Sequence, residues 1–516
     1  MSDKTSSWRI RDAIKPPFTL DLVWVILPFA IALICFGLLP LRSWDYWWHV
    51  TIGRLIDLVG AVPAANHYLY TMEPDAPSFI QPWMSQWLLY QVDKLGGLQL
   101  VLIVRNVLTA LAFGALGLWT MRRARSAMLG ALLTCAGLAL AFPYIGARTH
   151  LFVWPLFIAL VGLGYAIRHQ KAPAWLIVVF PAAAALWANM HGSFFNVAAI
   201  CLAFGAAGLL DKRFAPQRYA KIPALGWLLA TAASLAAPLV NPRGSEIYGY
   251  VASMLTNEEI HNTITEWMPT SFSNPEGIGV LFYVALVGVA VVFWRKRKTL
   301  DAADVLLVGG FGLMAVTSAR SLLWFGLVLP VALAPYLGQT VQNRDTPPWP
   351  LRLVNLAIAL GLVTAGVLFQ PGMSVRHDVV TDVQPVPVRT RAPMAGLVPA
   401  DTPLEHTEML RVYRSGLRIF HSYKYGGYLM YHLAKTKPYQ LVFVDQRIEL
   451  PTPDIWRLYE TVNETPAWRG VFQQYDIDAA VLSVEEQSTL IERMRADDGW
   501  TVGFEDAHNV LFLRKE

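Results

Sequence analysis

Apolar and polar positions along this chain are sorted into long blocks. Eleven apolar runs lie near 22–40, 99–119, 127–142, 151–167, 174–190, 195–210, 224–240, 277–294, 303–318, 322–337 and 353–369. A helix of about 20 apolar residues crosses the hydrocarbon core, so the pattern predicts a polytopic α-helical membrane protein. Several runs are shorter than that, and those helices must extend into their polar flanks. Two stretches break the pattern. Residues 41–98 interleave aromatic and polar positions, as in WDYWWHVTIGRLIDLV and WMSQWLLYQVDKL. They predict two amphipathic helices lying at the membrane interface, anchored by Trp and Tyr. After residue 370 comes the Pro-rich PVPVRTRAPMAGLVPADTP, a linker. It leads into YQLVFVD (strand), PDIWRLYETV (helix), IDAAVLS (strand), VEEQSTLIERMRA (helix), WTVGFED and NVLFLRK (strands), which together predict a small α/β domain. The expected organisation is an N-terminal segment 1–21, a transmembrane domain 22–369 that includes 41–98, a linker 370–400 and an α/β domain 401–516.

Composition agrees with this pattern. The 516 residues are 55% hydrophobic and only 15% charged, with a mean hydropathy of +0.39, far from a soluble, disordered or coiled-coil chain. Three cysteines, Cys35, Cys135 and Cys201, fall in apolar runs and imply no disulfide framework. The net charge of +5 matters less than its placement. With a cytoplasmic N-terminus, the short inner segments hold 19 Lys and Arg, against 6 in the outer segments before residue 370. That bias predicts the N-terminus inside and the C-terminal domain outside. The basic segments are juxtamembrane, which excludes nucleic acid as a partner and favours membrane lipid. Walker A, HExxH and dinucleotide-loop motifs are absent from the sequence.

Sorting polar residues by side concentrates the candidate chemistry outside. Asp45 and His49 in DYWWH are four apart, so a helix presents both on one face, where they could act on one group. A carboxylate beside an imidazole suits general-base chemistry; an interfacial helix with a polar face would use the same residues. Asn189 and His191 in WANMHG stand where an apolar run exits, either lining a cavity or closing a helix end. Arg148 and His150 in GARTHLF, Arg243 in NPRG and Arg320 in SARSLLWF are outer arginines and a histidine. A guanidinium pairs bidentately with phosphate oxygens, or snorkels to headgroups. Glu266 in ITEW is a second acid for a cavity or an interfacial helix end. In the tail, Asp445 and Arg447 of VDQR read as an internal ion pair.

At these residues the chain resembles the GT-C superfamily of membrane glycosyltransferases, and more closely a group of bacterial GT-C-like membrane proteins. The resemblance rests on an acidic residue after the first span (Asp45), a long first outer loop and a soluble outer C-terminal domain. It also rests on the series DYWWHVTIGRLI, VPAANHYLYT, WMSQWL, WANMHGSF, NPRG, ITEW and VDQR. It implies transfer of a sugar from a polyprenyl-phosphate carrier to a glycan, lipid or protein acceptor on the outer face of a bacterial cytoplasmic membrane. Asp45 would be the catalytic base, assisted by His49. Arg148, His150, Asn189, His191, Arg243, Glu266 and Arg320 would bind substrate or the donor phosphate. Many GT-C enzymes carry two adjacent acids that hold a divalent cation. Tyr46 follows Asp45 here, so no metal ligand is assigned, and a divalent cation would need His49 or Glu266 in place of the second acid. Two other readings stay open: a lipid-linked glycan ligase or polymerase run by arginines and a histidine, and a non-catalytic glycolipid-binding or complex-accessory protein.

Overall fold

The computed structural model describes residues 18–515 except 79, 215–223, 257–264, 274–276, 339–346, 374–393, 395, 435–440 and 448–449. Most of the predicted linker 370–400, the basic residues Arg218, Lys221 and Arg344, and the start of YQLVFVD lie outside the described residues. Eighteen helices are used below: α1 (Leu20–Leu38), α2 (Asp45–Val59), α3 (Trp83–Ala124), α4 (Ala127–Ala141), α5 (Trp154–Arg168), α6 (Val179–Ala188), α7 (Phe195–Phe214), α8 (Ala224–Ala236), α9 (Glu246–Thr256), α10 (Ile278–Lys296), α11 (Ala302–Thr317), α12 (Leu322–Leu337), α13 (Trp349–Leu368), α14 (Leu404–Tyr413), α15 (Gly426–Leu433), α16 (Pro453–Glu464), α17 (Trp468–Gln474) and α18 (Ser488–Arg495). Four strands are β1 (Ile419–His421), β2 (Ala479–Ser483), β3 (Trp500–Glu505) and β4 (Asn509–Arg514).

The chain is a multi-pass membrane protein. Among the described residues eight helices are long and apolar enough to cross a membrane, and three more, 174–188, 224–240 and 302–317, are apolar but shorter. Each of the eleven apolar runs therefore became a helix, and eight of those helices meet the length of a span. By packing, the chain divides into two compact units.

The first unit comprises residues 1–38, 102–146 and 150–376. Its helices approach closely at glycines. A Cβ on Gly137 would stand 2.3 Å from the Gly326 carbonyl, and one on Gly326 2.5 Å from that of Gly137. Gly338 likewise lies against Ala124. Small residues let backbones meet where lipid supplies no hydrophobic drive for helix association. These contacts fix α4 and α12 as an antiparallel pair. Arg105, placed by sequence inside a span, is buried: its guanidinium bonds the Phe36 carbonyl and the Asn106 side chain, and Asn106 bonds Gln370.

The second unit comprises residues 39–101, 147–149 and 377–516. The sequence reading counts 41–98 with the transmembrane body, but these residues pack with the C-terminal chain. The aromatic residues of α2 are the reason. Trp47, expected at the lipid interface, is buried with its ring 5.0 Å from Tyr428 and 5.0 Å from Tyr431 of α15. Tyr46 donates to Asp93 at 2.6 Å, and Tyr431 donates to the same carboxylate at 2.9 Å. Gly53 sits where a Cβ would lie 2.1 Å from the Gln86 carbonyl. α2 ends at Gly60, whose φ of +71° is the left-handed cap that glycine adopts without strain.

The sheet has the order β1-β2-β4-β3, with β1 parallel to β2 and the rest antiparallel. Val442 adds a parallel bridge on the free side of β1 and also bridges Leu69 of the loop. The expected helices and strands after residue 450 are all present. YQLVFVD is reduced, within its described part, to those bridges at Val442. Sequence reading passed over β1, α14, α15 and α17, whose segments are short and lack clear periodicity.

Candidate active site

Asp45 opens α2, where a carboxylate complements the unpaired backbone N–H groups of a first turn. Its Oδ2 lies 3.0 Å from Nε of Arg148, which also donates to Ser43 Oγ at 2.5 Å. The Trp48 indole donates to Asp45 Oδ1 at 3.4 Å. Asp45 keeps 27% of its side chain exposed, so it is both paired and reachable. His49, expected to share work with Asp45, is buried under the Trp48 ring with its Nδ1 3.2 Å from the Gln86 amide nitrogen. That amide can only donate, so Nδ1 accepts and the neutral ring carries its proton on Nε2. The structure ties Asp45 to Arg148 and His49 to Gln86.

The turn after β1 closes in on Asp45 within the same unit. β1, Val442 and β2 run parallel, and the chain goes from β1 to one neighbour and then to the other. The carboxyl ends of such strands, where the order reverses, are where α/β sheets gather binding groups. Here they carry Ser422, Asp445 and Ser483. Asp445 is fully buried and forms a bidentate pair with Arg447, the internal ion pair anticipated from sequence. The Arg447 guanidinium lies 5.8 Å from the Trp48 ring. Gln446 bonds the carbonyls of Tyr423 and Lys424 and accepts from the Gly427 N–H. A Cβ on Gly427 would come within 3.0 Å of the Trp48 backbone, so the glycine lets this turn touch α2. Burial would pull the Lys424 ammonium down, but ion pairs to Asp401 at 2.9 Å and Glu486 at 3.2 Å hold it above its ordinary range. Burial, with the charges of Glu486 and Asp45, pushes the Tyr423 phenol up. Ser43, Tyr423 and Lys424 are residues that sequence reading missed. The paired glycines of SYKYGGYL, which only a tight backbone approach requires, were the available signal.

The remaining candidates lie in the first unit, mostly at one end. His150 is buried, its Nε2 on the Tyr144 carbonyl at 2.7 Å and its ring 5.7 Å from that of His191. His191 accepts the Ser193 N–H at Nδ1 and caps the turn that follows. Asn189 bonds the Ala185 carbonyl and accepts from Asn241 at 3.2 Å. These pairings join WANMHG to NPRG. Arg243 points instead to an exposed local pair with Glu246. Arg320 stacks 4.4 Å from the Trp267 ring, and its backbone N–H bonds the Glu266 carbonyl. His150, His191, Glu266 and Arg320 thus stand on segments tied by direct bonds or ring contacts. Among the described residues no group of three or more His, Cys, Asp or Glu could hold a metal ion. A divalent cation does not fit the donor set at Asp45, whose facing group is a guanidinium.

No family model matches the chain, and no curated protein is similar to it. Solved structures are. The Archaeoglobus fulgidus oligosaccharyltransferase in its apo form is 12% identical with a TM-score of 0.50, over 96% of this chain and 74% of that one. The same organism's oligosaccharyltransferase AglB, in complex with an inhibitory peptide and a dolichol-phosphate, is 13% identical at a TM-score of 0.50, with the same coverage. ArnT from Cupriavidus metallidurans, in the apo state, is 16% identical at a TM-score of 0.50, over 95% of this chain and 97% of that one. The chain has the GT-C fold.

Proposed function

We propose that this protein is a membrane glycosyltransferase. It moves a sugar from a polyprenyl-phosphate donor to a glycan, lipid or protein acceptor on the outer face of a bacterial cytoplasmic membrane. The observation that carries this reading is the Asp45–Arg148 pair at the start of α2, partly open to solvent, in a chain with the GT-C fold. Asp45 takes the proton from the acceptor hydroxyl as its oxygen attacks the anomeric carbon. The bond from that carbon to the phosphate oxygen breaks, the phosphate leaves with the electron pair, and the configuration inverts. One base suffices for a single displacement. Arg148 supplies the charge that a departing phosphate needs. The AglB structure, with its dolichol-phosphate and peptide, supports a lipid phosphate and an external acceptor as the two partners. The Lys and Arg bias of the loops supports an inside N-terminus and an outside C-terminal domain.

Two measurements test the reading. The full chain, reconstituted with a polyprenyl-phosphate-linked sugar of known anomer, should give product of the opposite anomer; a retained configuration contradicts the single displacement. A reporter fused after residue 400 should be active only outside the cytoplasm, and activity inside removes the outer site.

A further inference from the structure

The proposed chemistry leaves the Asp445–Arg447 pair unused, although Asp445 is 0% and Arg447 6% exposed. Asp445 also accepts the Arg447 backbone N–H at 2.9 Å, so the guanidinium cannot swing away. A buried ion pair gains little over apolar residues of the same volume, so stability does not explain this one. What it delivers is a fixed guanidinium 5.8 Å from the Trp48 ring. A cation attracts an indole face most strongly where the cation is desolvated. Trp48 is held from two further directions. Its ring lies 3.8 Å from that of His49, which Gln86 ties down, and Gly427 brings the turn after β1 against its backbone. An indole without such contacts would sample several rotamers. Asp45 and Trp48 are three apart on α2 and share a face. The indole N–H donates to Asp45 Oδ1 at 3.4 Å, while Arg148 takes Oδ2 at 3.0 Å. Bonds at a reacting group are often long in a substrate-free site and tighten when substrate binds. With a donor on each oxygen, the plane of the carboxylate is set.

We infer that Trp48 and the buried Asp445–Arg447 pair are positioning residues for Asp45: the pair fixes the indole, and the indole N–H aims the carboxylate at the acceptor hydroxyl. The VDQR turn of the C-terminal chain thus acts on the first turn of α2 without touching the reacting atoms. The inference rests on the reading of Asp45 as the base and adds what orients it.

The test uses the full chain with a polyprenyl-phosphate-linked hexose as donor and an alkyl glycoside as acceptor. Trp48→Phe keeps an aromatic ring and removes the N–H. It should lower kcat by about tenfold, the loss of one hydrogen bond to a charged group, with KM for both substrates unchanged. Asp445→Asn and Arg447→Gln are made together, so that neither charge is left buried alone. The pair of changes should lower kcat by about threefold. Added to Trp48→Phe it should cost nothing more, because groups acting through one another are not additive. A second readout needs no turnover. In fluorotryptophan-labelled protein, the Trp48 fluorine resonance, assigned by its loss in Trp48→Phe, should shift in Asp45→Ala and again in Asp445→Asn/Arg447→Gln. An unmoved resonance, kinetic effects that multiply, or a raised KM with kcat unchanged overturns the inference. Failure of the base reading shows separately, as parental transfer by Asp45→Asn, and overturns the positioning role even where the resonance moves.

Discussion

At one end of the first unit, Asp304 takes bonds to both its oxygens from Arg123 Nη2 and hydroxyl bonds from Tyr165 and Tyr336. Beside it Arg168 pairs with Asp211 at 2.5 Å and Asp301 at 2.7 Å. At the other end the Tyr144 hydroxyl is buried near Arg320 and Glu266 without a partner among the described residues. Both ends use the same residue types, tyrosine, arginine and carboxylate. At the Asp304 end each charge meets its opposite across helices, and Arg123 Nε is the one donor there left without a partner among the described residues. At the Tyr144 end a donor is left over. Paired charges tie helix ends together, whereas an unpaired buried hydroxyl holds nothing and costs stability.

The largest expected effect breaks the Asp304 end. Asp304→Ala strands Arg123 and two tyrosine hydroxyls, and removing one partner of a buried pair costs about 3–5 kcal/mol. Thermal unfolding of the full chain in detergent should show that loss; a midpoint within a degree of the parent would mean the network contributes nothing. Tyr144→Phe removes an orphan hydroxyl and should instead raise the midpoint.

A second orphan sharpens the contrast. His421 is fully buried in the second unit, its Nδ1 on the Ser422 carbonyl and its Nε2 without a partner among the described residues. Burial pushes its pKa down to about 4, so the folded chain holds it neutral. Between that value and the unfolded value of about 6.5, the unfolded chain binds the extra proton. The contribution is therefore fully present above about pH 6.5 and is lost as pH falls toward 4, by roughly 3 kcal/mol in total. His421→Leu should flatten the fall in thermal midpoint between pH 7 and 4.5. An undiminished slope would assign the acid sensitivity to other groups.

The smallest effect is expected at Arg243. Its pair with Glu246 is local and exposed, and such pairs contribute about 0–1 kcal/mol. Arg243→Ala should leave stability nearly unchanged and transfer within about twofold. A large loss of transfer would return Arg243 to the substrate-binding residues that the sequence suggested.

The membrane character and the helix positions were legible because apolar run length has one dominant physical meaning. Asp45 was legible for a similar reason: a carboxylate just after an apolar run is conspicuous. Its partner was not, because Arg148 lies 103 positions away and nothing local in GARTHLF points to it. The reading of Trp47 as a lipid anchor went astray because Trp and Tyr serve equally as lipid anchors and as core. Trp47 between Tyr428 and Tyr431 is core. Tyr144 carried no sequence signal at all, since an orphan hydroxyl exists only once a fold has buried it.

The central claim is that Asp45 is the base for sugar transfer. Its most direct test is single-turnover transfer by Asp45→Asn in the reconstituted full chain, with donor binding measured on the same preparation. Loss of a positioned general base predicts a rate lower by about 10²–10⁴-fold with donor still bound. Transfer within about threefold of the parent, with donor bound, would contradict it.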